Sequence, residues 1–240
     1  MAIHILYEDN HLLVVEKPVN VPVQADDSGD IDLLTLLKAD LKERYEKPGN
    51  VYLGLVHRLD RPVGGVIVFA KTSKAASRLS DVLRKREMER TYLAVVRGNL
   101  GDGGMLEHHL WKDTKKNKVH AVNASHPGAK KAILRYETIE RKGSMSLLAI
   151  QLHTGRSHQI RVQMAASGAP LYGDQKYGQH VNEPGQQIAL WAHTLSFPHP
   201  TTKEVLKFES IPPIEHPWNM WKEIHTGSLT NNLRQAHQHN

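Results

Sequence analysis

The chain has no cysteine among its 240 residues. That one absence removes disulfides, iron–sulfur clusters, thiolate zinc sites and thiol nucleophiles together, and it fits a reducing, cytoplasmic setting. No apolar run approaches the roughly twenty residues of a membrane-spanning helix. The opening MAIHILYEDNHLLVVEK has neither the basic start nor the small-residue cleavage site of a secretory signal. Also missing are G-x-x-x-x-G-K-[ST], G-x-G-x-x-G after a strand, H-E-x-x-H and G-x-S-x-G, which excludes the common phosphate-loop, dinucleotide, zincin and serine-hydrolase solutions. The sixteen histidines are scattered. His108 and His109 adjoin, but neighbours on a strand point to opposite faces, so no metal site is expected.

What is present is a modest excess of positive charge, +6 from 31 basic and 25 acidic side chains. It falls in clusters: Arg84, Lys85, Arg86 and Arg90; Lys112, Lys115, Lys116 and Lys118; then Lys130 and Lys131. Such runs are either solvated surface or a phosphate-binding face. The length suits one large domain or two compact subdomains.

Strand and helix signals alternate. IHILYED and HLLVVEKP read as strands joined at Asp9-Asn10, and Asp30 to Tyr45 as a helix with Leu33, Leu37, Leu41 and Tyr45 on one stripe. VYLGLV and GVIVFAK are strand-length apolar runs. Ser73 reads as the cap of a helix that turns Ala76, Leu79 and Leu83 inward. RTYLAVVRG is a further strand, Lys130–Arg141 and Ser144–His153 form a hairpin, and a short helix runs from Ser157 to Ala166. Two last strands lie at Ala189–Phe197 and Lys203–Phe208. Strands outnumber helices and hairpins dominate, so the fold class is α+β. Residues 1–225 read as the folded domain, and 226–240, which include His237 and His239, as a polar, disordered tail.

Polar groups able to do chemistry gather at three places: His57-Arg58-Leu59-Asp60-Arg61, Tyr92, and TGRSHQIRVQMAASG with Arg156, His158 and Arg161. Each alone has an ordinary structural reading. Asp60 could cap a turn, Tyr92 could be a half-buried strand aromatic, and Arg161 could be a surface cation.

Together they carry a resemblance. VHRLDRPVGGVIVFAKT resembles the signature loop of the RluA-type pseudouridine synthases, H-R-L-D-x-x-T-S-G before an apolar strand and A-K-T. ILYEDNHLLVVEKPVNVPV is similar to that family's opening strand pair and Lys-Pro, and RTYLAVVRG to its tyrosine motif. GRSHQIRVQMAASGAPLYGDQKYG and LWAHTLSFPHPTTKE resemble its last two motifs. All are in family order, from Ile5 to Phe208. Two departures stand out: Val63-Gly64-Gly65 replaces Thr-Ser-Gly, and Gln163 replaces a histidine.

The resemblance implies a mainly antiparallel mixed sheet in two subdomains flanked by helices, with the active cleft across the sheet. It implies isomerisation of uridine to pseudouridine in ribosomal or transfer RNA, without cofactor, metal, membrane or obligate protein partner. The expected form is a cytoplasmic monomer lacking the small S4 domain of many relatives. Asp60 is then the acting carboxylate, at C6, at C1′ or in proton removal from the sugar. Tyr92 stacks on the base and serves proton transfer, and Arg161 pairs with Asp60. Arg58 fills the gap left by an extruded nucleotide, and the glycines let backbone and RNA approach. His57, Arg156 and His158 join substrate binding, and Leu171 with Tyr172 lies either beneath the base or in the core. The Lys- and His-rich stretch Gly101–Pro127 is the candidate for substrate-specific contacts. The rival readings are a silent RNA binder on the same scaffold and a metal-dependent hydrolase built on the histidines.

Overall fold

The computed structural model describes residues 3–226. The expected tail lies outside these, except for Thr226. Eleven strands form a single mixed sheet, ordered β1-β2-β4-β10-β5-β9-β8-β6-β7, with β3 paired onto β4 and β11 onto β10. Its first half holds β1 (His4–Glu8), β2 (Leu12–Lys17), β3 (Gly54–Leu55) and β4 (Gly64–Ala70). The second half holds β5 (Glu89–Arg97), β6 (Gly103–Asp113), β7 (Lys118–Val122), β8 (Lys130–Lys142) and β9 (Met145–Leu152). Strand β10 (Leu190–Pro198) joins the halves and carries β11 (Val205–Glu209). Pairing is antiparallel except between β10 and β4, which meet in parallel over Trp191–Gly64 and Ala192–Gly65.

The pattern follows from which faces are covered. Every residue of β4, GGVIVFA, is buried, as expected of a central strand packed on both sides. In β6 most side chains are exposed or half-buried, with Leu110 the one buried residue. Helix α1 (Leu33–Arg44) is capped by Asp32, which accepts from Thr35 N–H at 3.0 Å, and it buries Leu33, Leu37 and Leu41. Tyr45 ends that helix exposed, off the expected stripe. Helix α2 (Ser73–Arg84) is capped by Thr72 rather than Ser73 and buries Ala75, Leu79 and Val82. The stripe is therefore one residue out from Ala76 and Leu83. Leu79 belongs to both registers, and helical spacing alone does not separate them. The run Val51–Val56 yields only the two-residue β3. The stretch 101–127 is not irregular: β6 and β7 make a hairpin within it. Helix α3 (Gln159–Ala166) starts after His158, whose backbone is left-handed at φ 50°. A helix α4 (Lys222–His225) follows a single 3-10 turn at Trp218–Met220.

Candidate active site

The loop between β3 and β4 is pinned from below. Val63 N–H bonds back to the Asp60 carbonyl at 3.0 Å, closing a turn. Lys17, at the end of β2 and fully buried, donates to the carbonyls of Pro18 (2.9 Å), Arg61 (2.9 Å) and Val63 (2.7 Å). Three acceptors match the three donors of an ammonium. Burial pulls its pKa down to about 7, with the Asp60 charge opposing and Arg61 adding to the fall. In the sequence Lys17 is only part of a Lys-Pro motif, since Arg61 and Val63 lie more than forty residues away. His57 is buried as well. Its Nε2 accepts from Val68 N–H at 3.3 Å, and burial, helped by the Arg90 charge, lowers the ring to about 3. It is a neutral brace on the loop.

The glycines after this loop are required by close packing against β10. A Cβ on Gly64 would sit 2.2 Å from the Trp191 ring, and one on Gly65, at φ +112°, 2.2 Å from the Ala192 carbonyl oxygen. Where the family pattern has a serine, the indole occupies the space. Trp191 is fixed in turn by Nε1–H to Ser210 Oγ (2.9 Å), whose hydroxyl donates to Glu16 (2.7 Å). The loop is thus held without the missing hydroxyls. Gln163, the other departure, lies fully buried beneath β6 and β8, donating to the Leu106 and Ala132 carbonyls.

Above the pinned loop Arg58 is exposed and the Asp60 side chain is 24% exposed. Arg161, on α3, reaches it with Nη1 at 3.1 Å from Asp60 Oδ2. Asp60 Oδ1 has no hydrogen-bond partner among the described residues, and Asp60 lines the cleft. The other edge of the same guanidinium grips Asp174, Nε to Oδ2 at 2.8 Å and Nη2 to Oδ1 at 2.9 Å. Asp174 also accepts from the N–H groups of Lys176 and Tyr177. Burial works against both charges. For Arg161, bonds and charge from Asp174 and Asp60 more than offset it, raising the pKa above its ordinary value. For Asp174, the Arg161 fork holds the carboxyl below the usual range. The Tyr177 ring lies 5.2 Å from the guanidinium carbon, and its hydroxyl accepts from Val119 N–H (2.9 Å) and meets His158 Nδ1 (2.6 Å). Burial lowers the His158 ring, against the Asp60 charge. Nothing local to the GDQKYG turn reveals the arginine across from it, so the sequence alone does not mark Asp174 and Tyr177.

These groups face a cleft of about 1040 Å³ lined by Asp60, Tyr92, Arg58, His57, Arg156, His158 and Arg161 among others. Tyr92, on β5, is buried, and its hydroxyl has no partner among the described residues. Burial raises its pKa, Arg90 opposes and Asp60 adds to the rise. Arg156 is exposed and donates Nε–H to the Lys131 carbonyl at 3.0 Å. Eight lining residues are Arg or Lys and three are Asp or Glu, so the cleft favours a polyanion. Arg84, Arg86 and Arg90 stand on its wall, and Lys112 and Asn117 bring in the β6–β7 hairpin. Leu171 does not reach it. Fully buried, it bridges Val96 on β5 and belongs to the core, while Tyr172 packs beside His216 and Arg97. Among the described residues no three His, Asp or Glu side chains gather as a metal would require.

A family model described as RNA pseudouridylate synthase matches residues 11–166. The chain is 35% identical over 227 residues to ribosomal large subunit pseudouridine synthase D of Vibrio cholerae, covering 89% of this chain and 68% of that one. It is 34% identical over 212 residues to an uncharacterized RNA pseudouridine synthase of Bacillus subtilis, covering 88% and 69%. Among solved structures, human RNA pseudouridylate synthase domain containing 4 aligns with a TM-score of 0.72 at 23% identity, over 88% of each chain. That last likeness concerns the fold.

Proposed function

The chain belongs to the RNA pseudouridylate synthase family and is an enzyme that isomerises uridine to pseudouridine; we propose that it does so in large-subunit ribosomal RNA, with Asp60 as the acting carboxylate. The reaction breaks the bond from uracil N1 to the sugar C1′ and makes one from C5. C5 gives up its proton and N1 gains one, so atoms and electrons balance without oxidant, reductant or cofactor. One observation carries the reading: Asp60 lines a cationic cleft with one oxygen unbonded while Arg161, itself locked by Asp174, fixes the other. A silent RNA binder has no use for that arrangement.

A uridine stacked in a helix is out of reach, and extruding it costs about a few kcal/mol. Arg58, exposed beside Asp60, is suited to stand in the gap, since a planar guanidinium both stacks and meets phosphate. Tyr92 lines the same cleft, as the residue that stacks on the extruded base must, and Arg156 and His158 line it too. The ribosomal assignment rests on the name of the Vibrio relative. A substrate of that kind places the enzyme in the cytoplasm. Asp60, Tyr92 and Arg161 line one cleft within a single chain, so the proposed site needs no second copy.

The test is tritium release from 5-³H-uridine transcripts of large-subunit ribosomal RNA. Wild type should release the label and Asp60→Ala should not. Release by both, or by neither, would overturn the proposal. Tyr92→Phe should keep RNA binding and lose turnover; normal turnover would leave Tyr92 a stacking role alone.

A further inference from the structure

Four of the cleft's eight cations already have partners, Arg156 among them through the Lys131 carbonyl. Arg61 pairs with Asp30, Arg84 with Asp81 at 2.7 Å, and Arg161 is shared by two aspartates. Arg58 and Arg86 are exposed, so water solvates them. Arg90 is different. It is half-buried, it bonds to nothing among the described residues, and its Nε is closed off from solvent without an acceptor. The three acids that line the same cleft, Asp26, Asp60 and Glu89, make no hydrogen bond or ion pair with it.

The surroundings are built around this side chain. Its guanidinium lies over Gly155, where a Cβ would stand 2.8 Å from Nη1. Along β5, Arg90 and Tyr92 share a face, about 7 Å apart at two strand residues. His57 lies near enough for the Arg90 charge to act on its ring. Because His57 Nε2 takes the Val68 N–H, its proton sits on Nδ1, and that donor too lacks an acceptor. Two donors on residues of the same cleft are thus unanswered, and Tyr92 lines that cleft with them.

We propose that Arg90 is a phosphate-binding residue: its guanidinium, seated on Gly155, takes a phosphodiester of the strand that carries the target uridine. A phosphodiester offers two non-bridging oxygens that match the guanidinium fork. Such a contact fixes register and carries no sequence information, so it anchors the strand while Tyr92 meets the base. This rests on the proposed function and goes beyond it by giving the strand a fixed point.

The experiment measures RNA affinity across a salt series, with single-turnover tritium release on the same transcript. Arg90→Gln should weaken binding about tenfold, and the slope of log affinity against log salt should fall by roughly 0.7–0.9, the value of one lost phosphate contact. Arg90→Lys should keep the slope with a smaller loss. Gly155→Ala, which displaces the guanidinium without removing its charge, should weaken binding several-fold. Inorganic phosphate should inhibit wild type more than Arg90→Gln. Wild-type affinity and slope in Arg90→Gln, or equal inhibition by phosphate, would overturn the assignment. A wild type that releases no tritium would instead remove the parent reading.

Discussion

Two aspartates lean on one arginine, and their surroundings give them opposite work. Asp174 has no exposed side-chain surface and accepts four hydrogen bonds, two from Arg161 and two from backbone N–H groups. Asp60 is about a quarter exposed, lines the cleft and takes a single bond from the same guanidinium, leaving one oxygen unbonded. A fully buried carboxylate held by four hydrogen bonds is out of a substrate's reach and serves to hold the cation. A half-satisfied one at a cleft edge is oriented and still reactive. The difference lies in burial and bond count, since the residue type is the same.

The largest effect should come from removing what the two share. Arg161→Ala leaves Asp174 buried and uncompensated, which typically costs about 3–5 kcal/mol, and frees Asp60 to swing. Urea unfolding should register the first loss, and tritium release, down by about a thousandfold or more, the second. A variant with normal stability and turnover would erase the comparison.

Asp174→Asn should cost less, about 1–3 kcal/mol, because the amide keeps part of the hydrogen bonding. It also changes the acid limb. The folded pKa of Asp174 is lowered, so its contribution to stability is complete above the unfolded value of about 3.9 and is lost as pH falls through the folded one. The variant should therefore unfold less steeply below about pH 4. An unchanged acid limb would mean the Arg161 fork contributes little.

Gly64→Ser tests the loop beneath Asp60. With Trp191 in place, overpacking should cost about 1–3 kcal/mol and lower turnover, and Trp191→Leu in the same chain should recover much of both. Additive losses in the double variant would show the two sites to be uncoupled. The smallest effect belongs to the hairpin. Lys112→Gln should weaken RNA binding a few-fold and reduce the salt slope by about 0.9 or less, with thermal stability unchanged.

The sequence went furthest where structure is local or continuous. β4 was plain because an unbroken apolar run ends at a helix cap, and the Asp60–Arg61 turn was plain from Pro and Gly beside it. The pairing of Arg161 with Asp60 came from the family resemblance, across a separation of 101 residues. What stayed hidden depends on tertiary contact. Asp174 reads as a loop aspartate, and only the fold brings α3 above it. Lys17 reads as a strand end until the Asp60 loop is laid over it. The β6–β7 hairpin was obscured because its outer face carries Lys and His, which blunts the alternation that marks a half-buried strand. Leu171 sat in a motif beside functional residues, yet its bridge to Val96 turns it into the core.

The most direct test of the account compares wild type with Asp60→Asn on one 5-³H-uridine transcript, reading RNA affinity and single-turnover tritium release together. The amide keeps the shape and can still meet neighbours, but it carries no charge. We predict wild-type affinity within a few-fold and release reduced by at least about 10⁴, the scale seen when an acting catalytic group is removed. Release within tenfold of wild type would contradict the claim that this one oxygen does the chemistry.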